Sequence, residues 1–293
     1  MANDNRIPSL YRKKINASDL ILKGLIYLSV IITLATLIGI LLYILINGLP
    51  HISWRFISTP YSEINESING ILPMIINTLY IVIITIFISA PIGISSAIYL
   101  TQYAKQGKFV KSIRFTTEVL AGIPSIIFGL FGYTIFCTIF NLGTSIIAGS
   151  LTMSLCILPI IIRTTEESLV SVPKSYKEGA IALGAGKFKV ILGLVLPCAM
   201  PGILTAIVLS MGRIVGESAA LLYTSGMAYN MPKSITKHLF NSGRTLTLHL
   251  YQNAKQATTE DAFSIAFATA AVLLILIFIL NTLANILSRY FKK

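Results

Sequence analysis

The strongest constraint on this chain is a run without a single Asp, Glu, Lys or Arg from Val119 to Ile162. A membrane-spanning helix needs ~20 apolar residues to cross a hydrocarbon core of ~30 Å, so this run is long enough for two. Only 12% of the 293 residues are charged and 55% are hydrophobic. So little charge cannot cover the surface of a soluble domain of this length. We therefore expect lipid to be the solvent for much of the chain and the fold to be an all-α integral membrane protein.

Uncharged runs along the chain predict about six transmembrane helices. The longest run breaks naturally at Asn141-Leu142-Gly143, where asparagine and glycine favour a turn. The other runs are bounded by charged residues or by long polar loops. We predict a transmembrane domain of residues 24–293 behind an N-terminal tail of residues 1–23, with spans at 25–46, 71–100, 119–140, 144–162, 199–223 and 263–287.

The distribution of positive charge decides what a formal net charge of +12 means. In a soluble protein this excess would suggest nucleic-acid binding through one basic patch. Here most of the 23 basic residues lie in the N-terminal tail, the loop before the third span, the loop before the fifth span and the C-terminus. These regions share one side of a six-span protein, and basic residues mark the cytoplasmic side. The pattern predicts cytoplasmic termini and excludes a nucleic-acid partner. The opposite side holds Arg55, Lys233, Lys237, Arg244 and Lys255.

The loop between the fourth and fifth predicted spans is long enough to fold on its own. Pro173 is typical of the first turn of a helix, and Gly184 is typical of a helix end. Between them, Tyr176, Ala180 and Leu183 recur at helical spacing with charged residues beside them. We predict a short amphipathic helix outside the membrane. Periodicity alone is equally compatible with an ordinary connecting helix.

The same predicted helix carries an extended motif. Glu178-Gly179-Ala180 is followed after three residues by Gly184, and after nine more by Leu194-Val195-Leu196-Pro197. This spacing resembles the EAA motif of ABC importer permeases, with Gly179 where the second residue is usually Ala and Leu194 in place of Ile. In that family the motif helix couples the permease to a groove on the ATPase subunit. The resemblance implies that residues 163–189 form a coupling loop whose Glu178, Gly179, Ala180 and Gly184 meet an ATPase.

Further stretches between about residues 70 and 225 resemble the PstA-type permease of bacterial phosphate ABC importers. The first 60 residues and the loop before the last span match weakly. The matching stretches include Gly70-Ile71-Leu72-Pro73, Ala90-Pro91-Ile92-Gly93, Leu120-Ala121-Gly122-Ile123-Pro124-Ser125, Pro201-Gly202-Ile203-Leu204-Thr205 and Gly212-Arg213-Ile214-Val215-Gly216-Glu217-Ser218-Ala219-Ala220-Leu221-Leu222.

This second resemblance implies a type I ABC importer permease with MetI-like architecture in the inner membrane of a bacterium. It also implies the partners of such a subunit: a second homologous permease, two ATP-binding subunits and an extracytoplasmic phosphate-binding protein. The chain would form half of the phosphate path and couple that path to ATP hydrolysis in a separate subunit.

Arg213 and Glu217 are the charged residues that this scheme places within the fifth span. Four positions apart, they would share one face of a continuous helix. If the chain bends into the membrane near Pro201, Arg213 lies ~18 Å along the span, close to the midplane. Charges at that depth mark either a substrate path or an internal ion pair. On the first reading Arg213 presents a cation to passing phosphate and Glu217 orients or partly neutralises it; on the second the pair only fixes packing.

The sequence offers no constellation for catalysis, so we expect a transport permease rather than an enzyme. Gly184-Ala185-Gly186-Lys187 is followed by Phe188, and Ile181 stands where a Walker motif has its first Gly, so the phosphate cradle is missing. The histidines and cysteines are scattered, and we expect no cofactor and no metal site. The alternatives are a permease of another ABC anion importer and, from a different class, an ion-coupled secondary transporter.

Overall fold

The structure, a computed structural model, describes residues 17–61, 70–229, 231, 235–256 and 260–290. Most of the predicted N-terminal tail, together with Lys233 and residues 291–293, lies outside these ranges. The described residues form thirteen α-helices: α1 Ala17–Gly48, α2 Trp54–Ser58, α3 Leu72–Ile98, α4 Lys108–Gly122, α5 Ser125–Gly132, α6 Ile146–Val170, α7 Lys174–Ala182, α8 Lys187–Val190, α9 Leu196–Gly216, α10 Ala219–Thr224, α11 Ile235–Leu239, α12 Leu246–Gln256 and α13 Glu260–Tyr290.

Five helical runs are long and apolar enough to cross a membrane. A sixth span results if α4 and the run that begins with α5, which meet at a bend of 99°, are taken as one broken helix. The described residues thus confirm an all-α membrane fold with about six spans. The unbroken candidates are Ser18–His51, Leu72–Tyr103, Ile146–Val170, Lys187–Gly216 and Ala262–Ile286.

The chain divides into two compact units, Met1–Ile46 and Asn47–Lys293. The described part of the first unit is helical throughout and belongs to α1. That helix begins at Ala17, so Lys23 lies inside a helix and not in the tail where the sequence placed it. Apolar side chains such as Leu25 are exposed along the helix, which is typical of a span surrounded by lipid.

In the second unit, small residues let α3, α6 and α9 approach each other closely. A Cβ added at Gly93 of α3 would lie 2.6 Å from Ile161 Cγ2 of α6. A Cβ added at Gly202 of α9 would lie 2.0 Å from Ser168 Oγ of α6. Glycine at such positions is typical of membrane helices, whose association depends on close packing because lipid is as apolar as the side chains.

Two hydroxyl groups buried between α3 and α6 have backbone acceptors. Thr85 Oγ1 donates to the Ser150 carbonyl at 3.2 Å across the helix pair. Ser154 Oγ donates to the same carbonyl at 2.8 Å within α6, and it lies 3.4 Å from the Thr85 carbonyl. These bonds matter because an unsatisfied polar group costs several kcal/mol in a bilayer.

The third predicted span, 119–140, is broken. The backbone of Ile123 and Pro124 is extended between α4 and α5, with ψ of 130° and 137°. The residue before a proline is pushed out of the α region by contact with the proline ring, which explains why α4 ends here. After the break, α5 continues into a π-helical stretch, Tyr133–Ile139. The path from Val119 to Phe140 therefore changes direction instead of crossing as one straight helix.

The fifth span also differs from the prediction at both ends. The helical run begins at Lys187 and continues through Pro197 and Pro201, where the sequence indicated a bend into the membrane. A π-helical turn, Ile191–Val195, precedes Pro197. The wide turn removes the usual clash between a proline ring and the carbonyl four residues back. The run then ends at Gly216, before the predicted end of the span at residue 223.

Candidate functional site

The helix predicted between Pro173 and Gly184 is α7. Pro173 occupies the cap position before its first residue. At the other end, the Gly184 N–H donates to the Ile181 carbonyl at 2.9 Å, and the Ala185 N–H donates to the Ala180 carbonyl at 3.1 Å. These two bonds form a Schellman cap, which requires a left-handed residue. Gly184 supplies it with φ of +84°, a conformation that carries a steric cost for residues with a Cβ.

The surface of α7 is open around the motif residues. Glu178 and Gly179 are exposed, and Ala180 is half-buried. Added Cβ atoms at Gly179 and Gly184 would meet no described atom within 4 Å. Leu183 at the end of the helix is 90% exposed. Tyr176 and Ile181 are also exposed, so α7 presents large apolar side chains to its surroundings.

Arg213 and Glu217 do not share one face of a helix, contrary to the spacing argument. Arg213 lies in the last turn of α9, whereas Glu217 follows that helix with extended φ and ψ of −80° and 126°. The terminal carbonyls of the helix have donor partners at this end. The Ile214 carbonyl accepts the Glu217 N–H at 3.3 Å, and the Val215 carbonyl accepts a hydrogen bond from Thr247 Oγ1 of α12.

Each member of the charged pair has its own partner. Arg213 Nη2 lies 3.8 Å from Cys156 Sγ, a weak contact. Glu217 Oε1 accepts the Ala220 N–H at 3.3 Å and so caps the start of α10. Arg213 is exposed, and its guanidinium carries five N–H donors. Within the described ranges the side-chain ion pairs are Arg114–Glu166 and Arg163–Glu167, so none joins Arg213 to Glu217.

The two helix breaks of the fold lie side by side. The helix α5 begins after the break at Pro124, and α10 begins after the break that follows Gly216. These two short helices are in contact, because a Cβ added at Gly129 would lie 2.9 Å from the Ala220 Cα. A mainly apolar cavity of about 130 Å³ lies where they meet, lined by Ile126, Ser218, Ala219, Leu222, Tyr223 and Tyr251.

A second cavity, of about 240 Å³, lies between α4 and α6 and contains both ion pairs. Arg114 is held by Glu166 at 3.3 Å, and the Glu166 side chain is only 14% exposed. The cavity is lined by Arg114, Thr117, Glu118, Ala121, Pro159, Arg163, Glu166 and Glu167.

Similarity to known proteins places this arrangement in a family. Residues 89–293 match the family described as binding-protein-dependent transport system inner membrane component. The chain belongs to this permease family. The matched region includes α7 and the break between α9 and α10, together with the last span. The chain is therefore the membrane component of an ABC importer, and its family consists of transport components.

Two relatives cover nearly the whole permease. The probable ABC transporter permease protein YqgI of Bacillus subtilis is 35% identical over 94% of this chain and 97% of its own length. The phosphate transport system permease protein PstA of Haemophilus influenzae is 33% identical over 92% of this chain and 93% of its own length. The resemblance to PstA-type permeases is thus confirmed along the chain, including regions where the motifs matched weakly.

Solved structures confirm the permease fold. A chain of the bacterial alginate ABC transporter, in complex with an alginate-bound periplasmic protein, superposes with a TM-score of 0.67 at 17% identity and covers 94% of this chain and 96% of its own. A chain of the MetNI methionine ABC transporter in an inward-facing conformation gives a TM-score of 0.60 at 18% identity, covering 80% of this permease and 100% of its own chain. These likenesses concern the fold, which is of the MetI-like type.

Sequence reasoning missed two features of the site. The break at Pro124 had a local signal, since the residue before a proline is biased away from helix. The end of α9 had only the weak signal of Gly216, and the donor to the Val215 carbonyl comes from Thr247, far along the chain.

Proposed function

We propose that this permease is a subunit of an ATP-driven phosphate importer. The observation that carries the substrate assignment is the likeness, over nearly the full length of both chains, to the phosphate transport permease of Haemophilus influenzae. The chemistry of Arg213 also supports phosphate as the substrate. An exposed arginine that is not neutralised by a carboxylate can offer forked N–H donors to phosphate oxygens.

In this proposal Arg213 and Glu217 belong to the substrate path. Arg213 contacts the passing phosphate, and Glu217 weakens the positive potential so that the anion can leave, because conduction requires binding that is easily reversed. The helix breaks at Pro124 and Gly216 also support this region as the substrate path. Irregular backbone at membrane depth is tolerated only where it is buried in protein or lines a water-filled cavity.

The partners and the orientation follow the family pattern. A second homologous permease supplies the other half of the path, two ATP-binding subunits hydrolyse ATP, and an extracytoplasmic phosphate-binding protein delivers the substrate. The ATPase docks on α7 at Glu178, Gly179, Ala180 and Gly184, of which Glu178 and the two glycines are exposed. The excess of basic residues in alternate loops supports cytoplasmic termini, with the protein in the inner membrane of a bacterium.

Reconstitution tests the substrate directly. The chain, co-purified with its ATPase, second permease and binding protein, is placed in proteoliposomes and supplied with labelled phosphate, with sulfate as the matched anion. ATP-dependent accumulation of phosphate in preference to sulfate is the expected result. Accumulation of another anion under the same conditions would reassign the importer to that anion. Uptake driven by an ion gradient without any ATPase would contradict the proposal altogether.

A further inference from the structure

Two lysines of the coupling loop contact the end of α3. Lys177 Nζ of α7 donates to Gln102 Oε1 at 2.9 Å. Lys187 Nζ, at the start of α8, lies 4.8 Å from the centre of the Tyr103 ring. Both acceptors belong to the π-helical turn Tyr99–Tyr103 that closes the second span. The coupling helix α7 is therefore held by a hydrogen bond, and the neighbouring α8 by a cation–π contact, to the turn that follows α3.

The Lys177 contact differs from an ordinary surface lysine contact. Its side chain is half-buried, and burial, with a smaller effect of the nearby Lys174 charge, lowers the pKa of Lys177. Burying part of a cation is costly unless the charge finds an acceptor, and the Gln102 carbonyl oxygen provides one. Apolar packing supports the geometry, since Ala180 and Ala185 pack against a cluster that includes Ala97 of α3.

The end of α3 is also tied to the broken span. Gln106 follows the π-helical turn, and its Nε2 donates to the Leu100 carbonyl at 3.2 Å. Gln106 Oε1 accepts from Arg114 Nη1 of α4 at 3.2 Å, and Arg114 pairs with Glu166 of α6. Since α4 leads into the break at Pro124, the residues at 99–106 lie between the coupling helix and the broken helix.

We infer that Lys177 and Gln102 are positioning residues that fix the coupling helix to the end of α3, so that movement of α7 reaches α4 and the break at Pro124. The inference rests on the proposed coupling of this chain to an ATPase, and it assigns the contact through which the coupling acts. Neither residue contacts substrate or nucleotide in this scheme. Replacing either residue should therefore change the amount of solute transported per ATP hydrolysed.

The first test compares Lys177→Met with Lys174→Met in the reconstituted importer. Lys174 opens the same helix and is exposed, so its replacement removes the same charge without removing the Gln102 contact. We expect Lys177→Met to lower solute uptake per ATP hydrolysed by about tenfold, the scale expected on losing one hydrogen bond to a charged group. Lys174→Met should keep the wild-type ratio. Equal effects of the two replacements would overturn the inference.

Replacements at position 102 separate the contact from general damage. Gln102→Leu should reduce the ratio as far as Lys177→Met, and the double variant should be no worse than either single variant. Gln102→Glu keeps an acceptor for Lys177 and should restore normal coupling. Additive losses in the double variant, or failure of Gln102→Glu, would show that the two residues act separately.

A second measurement needs no transport. A spin label at position 183, where Leu183 is exposed, reports the mobility of α7 in the chain alone after Cys198→Ser removes the exposed cysteine. Lys177→Met should increase that mobility and Lys174→Met should not. Unchanged mobility in both would reject the positioning role even if the importer works. Increased mobility in an importer that moves no phosphate would instead uphold the contact and reject the proposed substrate.

Discussion

Gly129 of α5 lies against Ala220 of α10 so closely that a Cβ added at Gly129 would be 2.9 Å from the Ala220 Cα and 3.1 Å from its carbonyl oxygen. The contact joins the two short helices that follow the breaks at Pro124 and Gly216. Both neighbouring atoms are backbone atoms, so a side chain cannot be accommodated by a change of rotamer.

Replacing Gly129 by Ala should therefore separate α5 from α10. We expect a loss of about 1–3 kcal/mol in stability, the range for overpacking a tight contact, seen as a lower unfolding temperature in detergent. Gly122→Ala is the matched control, because a Cβ there meets no described atom within 4 Å. A Gly129→Ala protein as stable as the Gly122→Ala protein would show that the two helices are not in firm contact.

The Schellman cap of α7 predicts a specific requirement for glycine at position 184. Gly184→Trp places a Cβ at φ of +84°, which costs about 1–2 kcal/mol locally, and it adds bulk to the proposed ATPase surface. We expect the protein to insert normally but to lose ATPase binding or uptake. Gly193→Ala, where an added Cβ meets no described atom within 4 Å, should leave both unchanged. Normal ATPase binding and uptake in Gly184→Trp would exclude α7 as the coupling helix.

Replacement of Arg213 tests the substrate path. Arg213→Gln keeps a polar side chain but removes the charge, so phosphate uptake should fall by about tenfold or more while the complex still assembles. Arg213→Lys should retain partial uptake, because a point charge remains without the forked geometry. Labelled phosphate uptake and co-purification of the subunits measure the two effects.

The double replacement Arg213→Gln, Glu217→Gln distinguishes the path from packing. If the residues only neutralise each other, removing both charges should restore assembly and uptake. We expect assembly without uptake, because the structure shows no ion pair between them and Arg213 is exposed. Recovery of uptake in the double variant would assign Arg213 to packing alone.

Membrane orientation gives an independent prediction. A cytoplasmically active reporter fused after Lys293 should be active, and one inserted near Asn241 should behave as external, because basic residues accumulate on the cytoplasmic side. Paired reporters that work only inside or only outside the cell measure this. The reverse pattern would place α7 on the side opposite the ATPase and contradict the proposed coupling.

His249 predicts a loss of stability in acid. It is fully buried in α12, and burial, with a smaller effect of the Arg244 charge, lowers its pKa from 6.5 to about 3. Only the unfolded chain binds the proton between these values, so the stabilisation is complete above pH ~6.5 and is lost as the pH falls toward ~3. Each pH unit in this window should cost on the order of 1 kcal/mol.

Thermal unfolding at about pH 7.5 and about pH 5.5 measures this loss, because the histidine of the unfolded chain takes up its proton in that range. His249→Gln should reduce the difference between the two unfolding temperatures, whereas His51→Gln, at an exposed position, should not. His238, whose pKa is also lowered by burial, should account for part of the dependence that remains. An unaltered pH dependence in His249→Gln would contradict the assignment.

The parts of the fold that follow from local sequence were predictable. Uncharged runs of sufficient length indicated the spans, and α7 was predicted between Pro173 and Gly184 because a proline start and a glycine cap are local signals. The break at Pro124 carried a local signal too, but an unbroken apolar run outweighed it in the prediction of a single span at 119–140.

The parts that depend on distant residues were not predictable. Spacing placed Arg213 and Glu217 on one helix face, yet α9 ends at Gly216, where Thr247 of α12 donates to the Val215 carbonyl. The contact between Lys177 and Gln102 joins residues far apart in the chain. Periodicity describes a helix that continues, and only the packed structure shows where another element stops it.

The π-helical turn Ile191–Val195 determines where this helical run can lose a single residue. A π turn is an α-helix with one residue inserted, so loss of Gly193 would return the turn to an α-helix and keep the register on either side, although it would bring the Pro197 ring against the carbonyl four residues before it. Loss of one residue within α9 would instead rotate everything beyond it by ~100°, carrying Arg213 off its face. Homologues that differ in length by one residue should therefore differ inside this turn and not between Leu196 and Gly216.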